Sequence, residues 1–413
     1  MSNSNTSNTL TNKTTRTINK YIHQINRCKL ITRNNSSISI GKSHSNALHD
    51  FYLSQDYKQR LTILNSLVTD PSFIRHQVDM FYRYIDGDRL FELDHDNYAA
   101  SFNISKTRAT KIAKELESKV MLDGWAVNEV NSYRDSNGAF KHYRYNFEIS
   151  RKKHQVFTLS FVNIPQFKNS IYQHCRISFC PNLVRLNHVY RVMKWLFEAF
   201  DDEARKAIDE SILLCHDIGS QWHGIPSFML NIDAESSSFQ TYPKTTLTDN
   251  IPTESIYYLR KKNLGEDSDV LYSPVCKFIS NLRKKKVNEK NQSELLNSIV
   301  VATRYESKWR YTAGDEPLKY NALSDAPFAM HAVDFISPEI FTQLPEPLAL
   351  KLAIHKYPKI LSALTVGDNR ILLQALIRNT LRVSLPKISK RHKTLLASLL
   401  NQFKKAENQT HKR

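Results

Sequence analysis

A mainly α chain with small β wings, of the α+β class, is what this sequence predicts, and three observations carry the expectation. Apolar residues recur at helical spacing over long stretches: Leu61, Leu64, Leu67 and Val68, then Val184, Val192, Trp195 and Leu196 with His188 among them as a core or boundary histidine, and near the end Leu395, Leu396, Leu399 and Leu400. Clear alternation of apolar and polar residues, the mark of a half-buried strand, falls mainly in residues 125–133 and 140–149. Between residues 94 and 149 the elements follow a fixed order: a helix, a tight turn, a second helix and a two-stranded wing.

The first helix of that stretch is expected over residues 94–102, with Asp94 or Asp96 accepting from the free amides at its start and Tyr98, Ala99 and Phe102 on one face. Residues 103–105 make the turn. Ser105 is a good N-cap for a second helix over residues 106–120, in which Ala109, Ile112, Ala113, Leu116 and Val120 form an apolar stripe. The opposite face carries Lys106, Thr107, Thr110, Lys111 and Lys114. Hydroxyls and amines at the N-terminal end of a helix suit the major groove, where side chains reach base edges and backbone amides favour phosphate. Residues 134–138 supply the turn of the wing, and Arg134, Lys141, His142 and Arg144 are placed for phosphate contact or minor-groove insertion.

Tyr98-Ala99-Ala100-Ser101-Phe102-Asn103-Ile104-Ser105-Lys106-Thr107-Arg108-Ala109-Thr110, then Leu116-Glu117 and Gly124, followed by the hairpin from Tyr133 to Tyr145, resembles the winged helix-turn-helix modules of phage replisome organisers, plasmid and integrative-element replication initiators and many bacterial repressors. The hairpin is similar to that of the replication-type members in particular. The resemblance implies a winged helix-turn-helix module plus a helical C-terminal region. It also implies that double-stranded DNA is held by Ser105, Lys106, Thr107, Arg108, Thr110, Lys111 and Lys114 on the reading helix and by Arg134, Lys141, His142 and Arg144 on the wing.

Composition agrees with a polyanion as partner. The chain has 413 residues and a formal net charge of +18, and a charge of that sign and size draws a protein to nucleic acid. No apolar run is long enough to span a membrane, and the Ser- and Asn-rich start lacks the apolar segment of a secretory signal, so a cytoplasmic location is expected. Residues 1–45 are expected as a basic tail and 46–165 as the DNA-binding domain. A helical middle segment over 166–230, a linker or long loop over 231–256, a mostly helical region over 257–405 and a basic tail over 406–413 complete the organisation. The apolar stripe near Leu396 and Leu399 is expected to pack within the chain, with a homodimer contact as the alternative.

No motif for chemistry stands out. Nine glycines fall in no GxGxxG or GxxxxGK arrangement, which speaks against a dinucleotide fold or a phosphate-cradling loop. There is no HExxH and no His-x-His pair, and five cysteines without CxxC spacing read as isolated thiols. His174-Cys175 with Cys180, and Cys215-His216, lack metal-site spacing, and the clusters Asp94-His95-Asp96 and Asp201-Asp202-Glu203 suit helix starts. No catalytic residue, metal or cofactor is therefore expected. The reading is a non-enzymatic, sequence-specific DNA-binding protein that initiates replication of a plasmid, phage or integrated element, with host replication proteins as further partners. A transcriptional regulator of such an element is the first alternative, and a structural or assembly protein that uses the module for protein contacts is the second.

Overall fold

The computed structural model describes residues 51, 56–75, 91–118, 124–130, 142–151, 156–164, 173–181, 183–223, 225–232, 238–242, 251–259, 268–284, 288, 302–311, 314–326, 331–356, 359–360, 364–383 and 386–410. Its strands in chain order are β1 (Phe91–Phe102), β2 (Ala126–Glu129), β3 (Tyr143–Ser150), β4 (Val156–Asn163), β5 (Cys175–Phe179), β6 (Ile212–His223), β7 (Leu230–Ile232), β8 (Ser238–Tyr242), β9 (Ser255–Leu259), β10 (Ser268–Tyr272), β11 (Ala302–Arg310), β12 (Val333–Ile336) and β13 (Thr380–Val383). The helices are α1 (Tyr57–Thr69), α2 (Lys106–Glu117), α3 (Leu186–Phe200), α4 (Ala204–Asp209), α5 (Pro274–Lys284), α6 (Ile340–Gln343), α7 (Glu346–His355), α8 (Val366–Asn379) and α9 (Pro386–Thr410).

Ten strands form one antiparallel sheet in the order β2-β3-β4-β5-β1-β6-β11-β10-β9-β8, and β13-β12-β7 form a second, small one. The long strands β1 and β6 lie at the centre of the large sheet and pair along most of their length, from Phe91↔Trp222 to Ser101↔Ile212. Alternation then gives the sheet two unlike faces. Tyr98, Ala100, Phe102, Ile218, Trp222, Tyr305 and Trp309 point to one face and are buried.

Two apolar clusters cover that face. Over β1 and the strands beyond β5, α2 contributes Ala109, Ile112, Ala113 and Leu116, α3 contributes Val189, Val192, Met193 and Leu196, and α9 contributes Leu399 and Phe403. Over β9, β10 and β11, Leu64, Leu67 and Val68 of α1, Val275, Phe278 and Ile279 of α5, and Leu348 and Leu352 of α7 pack with Phe335 of the small sheet. The rings of Tyr98 and Phe403 lie 5.3 Å apart, and the Tyr98 hydroxyl donates to the Tyr320 carbonyl at 2.8 Å, so α9 and the centre of the sheet share one core.

The mainly α expectation is corrected by this sheet. Residues 94–102 form strand, not helix: Tyr98 to Phe102 pair with β5 on one side while Phe91 to Ser101 pair with β6 on the other. The spacing of Tyr98, Ala99 and Phe102 fits a helix locally, but two flanking strands satisfy the backbone of the whole segment, and tertiary pairing outweighs local preference. Without that first helix, residues 94–117 do not form a helix-turn-helix, although α2 forms where expected. The two wing strands do pair, from Ala126↔Ser150 to Glu129↔Phe147, but as the border of the ten-stranded sheet. The helical middle segment expected over 166–230 contains β5 and β6 beside α3 and α4: α4 ends at Asp209 and the chain continues as β6. The mostly helical C-terminal region likewise contains β9 to β13 beside its helices. The tail over residues 1–45 lies outside the described residues.

The apolar stripe of α9 is taken up inside the chain: Leu396, Leu399, Phe403 and Ala406 are buried in the same cluster as Tyr98. Replacing Phe403 with alanine should therefore cost about 3–5 kcal/mol of unfolding free energy. Urea denaturation followed by tryptophan fluorescence checks this, and a loss below 1 kcal/mol, on the order of a surface change, would contradict the packing.

Candidate active site

The face of the large sheet opposite the apolar clusters is polar where β1, β6, β11 and β10 run side by side. Arg304, Glu306, Lys308 and Arg310 alternate along β11 with the core residues Tyr305 and Trp309, so the four charges share one face. The register places Glu306 opposite Gly219 of β6 on one side and Val270 of β10 on the other, and Arg304 opposite Tyr272.

Arg304 is the hub. Its Nε donates to Glu306 Oε1 at 2.9 Å, and its Nη2 lies 3.2 Å from Asp96 Oδ1. Two features of the backbone permit this. Between His95 and Asn97 the pairing of β1 with β6 shifts register, and the extra residue is Asp96; a bulge of this kind re-aims a side chain. Gly219 supplies the space: a Cβ there would lie 2.3 Å from Arg304 Nη2 and 2.7 Å from its Cζ, so any other residue would displace the guanidinium.

Glu306 is almost fully buried and collects more partners. The Tyr272 hydroxyl donates to its Oε1 in a short contact, Lys308 Nζ lies 3.4 Å from its Oε2, and it hydrogen-bonds Asp96. Lys277, on the first turns of α5, places its Nζ 4.8 Å from the centre of the Tyr272 ring. Nearby, Arg310 forms a two-pronged pair with Asp217, its Nη2 donating to Oδ2 at 2.8 Å. Tyr257 of β9 sits opposite Val270 on the same face, more than a third exposed.

These contacts split the two carboxyls. Burial raises Asp96 to about 7, the negative charge of Glu306 adding to the rise and Arg304 opposing it. Burial also pushes Glu306 up, but Lys308, Lys277 and Arg304 together outweigh it and hold this carboxyl well below its ordinary range. Burial and the Glu306 charge push the Tyr272 hydroxyl well above its usual value. Near neutral pH the pair shares about one proton, held mostly on Asp96. Two neighbouring carboxyls with separated affinities, a tyrosine hydroxyl on one of them and cations around both form a set able to move protons beside a bound anion. No group of three metal-ligating side chains occurs among the described residues.

The residues expected to hold DNA fall elsewhere. α2 packs its apolar stripe on the core side of the sheet, and Lys106, Thr107, Lys111 and Lys114 are exposed on its outer side, with Thr110 partly exposed. Ser105 caps the helix, accepting from Arg108 N at 3.1 Å, but its own N and Oγ donate to Glu203 at 2.5 and 2.6 Å. Arg108 pairs with Asp202 at 2.7 Å and Asp201 at 3.2 Å. The acids of residues 201–203 thus face the N-terminal end of α2. Arg144 is exposed, its guanidinium over the Tyr145 ring, and His142 is partly exposed. Arg134 and Lys141 lie outside the described residues. Sequence reasoning missed the charged cluster itself. Its one legible signal was the alternation of Arg304, Glu306, Lys308 and Arg310 within residues 302–310.

No family model matches the sequence, and no curated protein does. Among solved structures, the chain is similar to a rolling circle replication initiator protein from Geobacillus stearothermophilus, at 8% identity and a TM-score of 0.28, over 70% of this chain and 97% of that one. The expectation of a protein without enzymatic activity, made from absent motifs, is corrected at this point by the sheet face, which holds two carboxyls of unlike proton affinity and a tyrosine hydroxyl in contact. No helix among the described residues is long and apolar enough to cross a membrane.

The raised affinity of Asp96 for its proton sets a pH dependence. A carboxyl that holds a proton more tightly folded than unfolded makes the folded state lose stability as pH rises from its unfolded value, about 4, through its folded value. Asp96→Asn removes that titration, so the stability of the wild-type protein relative to this variant should fall between about pH 4 and pH 7 and level off above. Urea unfolding of both proteins across that range checks it; parallel pH profiles would show that Asp96 does not titrate as described.

Proposed function

We propose that this protein is a replication initiator of a mobile element that binds DNA and transfers a phosphodiester at the polar face of β1, β6, β11 and β10. The observation that supports this reading is the Tyr272–Glu306–Asp96 chain of hydrogen bonds held by Arg304. Arg304, Lys308 and Lys277 would receive the phosphate, whose charge such cations stabilise as it grows in the transition state.

The reaction follows from the proton positions. The Tyr272 oxygen attacks phosphorus and its proton passes to Glu306. The bond from phosphorus to the leaving sugar oxygen breaks, and that oxygen takes the proton carried by Asp96. One bond to phosphorus forms and one breaks, leaving a phosphotyrosine and a free hydroxyl, with the carboxyl pair still holding one proton. A tyrosine whose hydroxyl stays protonated until the phosphate arrives needs an adjacent acceptor, which Glu306 supplies.

DNA would be held in part by Lys106, Thr107, Thr110, Lys111 and Lys114 of α2 and by Arg144. Arg108 and Ser105, already engaged with residues 201–203, would act by fixing that helix. His142, Arg134 and Lys141 complete the set proposed for the wing.

Two measurements test the proposal. Mixed with end-labelled single-stranded and duplex DNA from the element that encodes it, with Mn²⁺ present, the protein should form an adduct that survives denaturing electrophoresis. Tyr272→Phe should abolish it, and Asp96→Asn should slow it about 10²–10⁴-fold, the usual worth of a positioned acid. An adduct retained in Tyr272→Phe would remove this tyrosine as nucleophile, and no adduct with any of the element's DNA would remove the reaction. Separately, replacing Lys106, Lys111 and Lys114 together should lower the salt slope of DNA binding by about 3, close to one for each phosphate no longer neutralised. An unchanged slope would take α2 off the DNA.

A further inference from the structure

Helix α8 has a face that the core does not use. Leu372, Ala375 and Leu376 are buried, while Val366 is 89% and Ile377 80% exposed, with Leu373 and Ile371 about two-fifths exposed. Val366, Leu373 and Ile377 are seven and four residues apart, so they stack along one side of the helix over roughly 16 Å. Exposed apolar side chains gathered in a row, unlike scattered ones, mark a contact surface. Beside the row runs a cleft of about 170 Å³ lined by Asn231, Asp334, Ile336, Leu373, Leu376, Ile377 and Thr380.

Charge selects among occupants. The polar residues on the exposed side of α8 are Arg370, Gln374 and Arg378, and the acidic residue of this helix, Asp368, sits toward its buried side in the first turn. Asp334, on the cleft floor, is half-buried and takes a hydrogen bond from Asn231. A second copy laid on this face would bring Arg370 and Arg378 against their own counterparts, in a chain already at +18. Acidic side chains flanking an apolar ridge would pair with both arginines while the ridge filled the cleft.

We infer that the exposed face of α8 docks an acidic amphipathic helix of a partner protein, with apolar side chains entering the cleft between Ile377 and Ile336 and carboxylates meeting Arg370 and Arg378. The site lies apart from the charged face of the large sheet and does not depend on the reaction proposed there.

The test uses the full chain and a fluorescent 18-residue peptide with leucines at helical i, i+3, i+4 and i+7 spacing and glutamates on both flanks, followed by anisotropy. Saturable binding is expected, weakened at least about tenfold by Ile377→Glu and again by Arg370→Glu, each about 1.4 kcal/mol. Peptides with lysine in place of glutamate, or alanine in place of leucine, should bind at least about tenfold more weakly, because each lacks one of the two recognised features. Ile377 is so exposed that its replacement should leave the thermal midpoint unchanged, which keeps the comparison valid. Equal binding by wild-type protein and Ile377→Glu, or by the leucine and alanine peptides, overturns the proposal. So does a wild-type dimer in sedimentation that Ile377→Glu dissociates, which assigns the face to a second copy. Duplex DNA binding that Arg370→Glu weakens while peptide binding stays unchanged overturns it as well.

Discussion

A guanidinium lying flat against a sheet holds this molecule's central strands in their working arrangement. Arg304 of β11 reaches over the space left by Gly219 of β6 to Asp96 at the bulge of β1, while its other edge is committed to Glu306 on its own strand. Three adjacent strands are thereby tied on the face that has no apolar core. An arginine is suited to this because its planar fork serves two carboxyls at once. The charge the pair carries, left without it in a nearly dry setting, would cost several kcal/mol. The register of the sheet, the bulge and the missing side chain at Gly219 all read as conditions for this one contact.

The two faces of the sheet then divide the labour. On one, aromatic and aliphatic side chains from α1, α3, α7 and α9 bury the strands and fix their order. On the other, the same strands present charged groups whose positions are as rigid as the core behind them, which is the condition for separating the proton affinities of two neighbouring carboxyls. Asp269 shows the boundary between the two regimes. It lies on β10 beside Val270 yet faces the core side, where Tyr305 donates to it at 3.0 Å and His331 approaches to 3.5 Å. One residue along a strand thus separates a buried acid on the core side from the charged face.

How much of this was legible in the sequence depends on the range of the interactions involved. Helices with strong stripes, such as those around Leu64, Val192 and Leu399, stand where the spacing puts them, because their signal is local. The segment at Tyr98 failed because its partners, at Phe179 and His216, lie far along the chain and no window contains them. The stretch after Asp209 failed for the same reason: β6 pairs with β1 and β11, each far away along the chain, and it is buried on both faces over most of its length, so no alternation marks it. The cluster at Arg304 was invisible as a motif. Asp96, Gly219, Tyr272 and Glu306 come from four separate strands, and their proximity is a property of strand order, which spacing does not encode.

The placement of α9 has a consequence for how the protein comes into being. Phe403 packs on Tyr98, Glu407 accepts from the hydroxyl of Tyr320, and the carbonyl of Tyr320 in turn accepts from Tyr98. The centre of the sheet therefore waits for a helix that is synthesised long after β1. During translation, β1 and α2 leave the ribosome long before the helix that completes their core. Until that helix arrives, Tyr98, Phe102 and the apolar stripe of α2 lack the Leu399 and Phe403 side chains that complete their cluster. Closure of this core is thus a late step, set by the long-range topology of the chain rather than by local sequence.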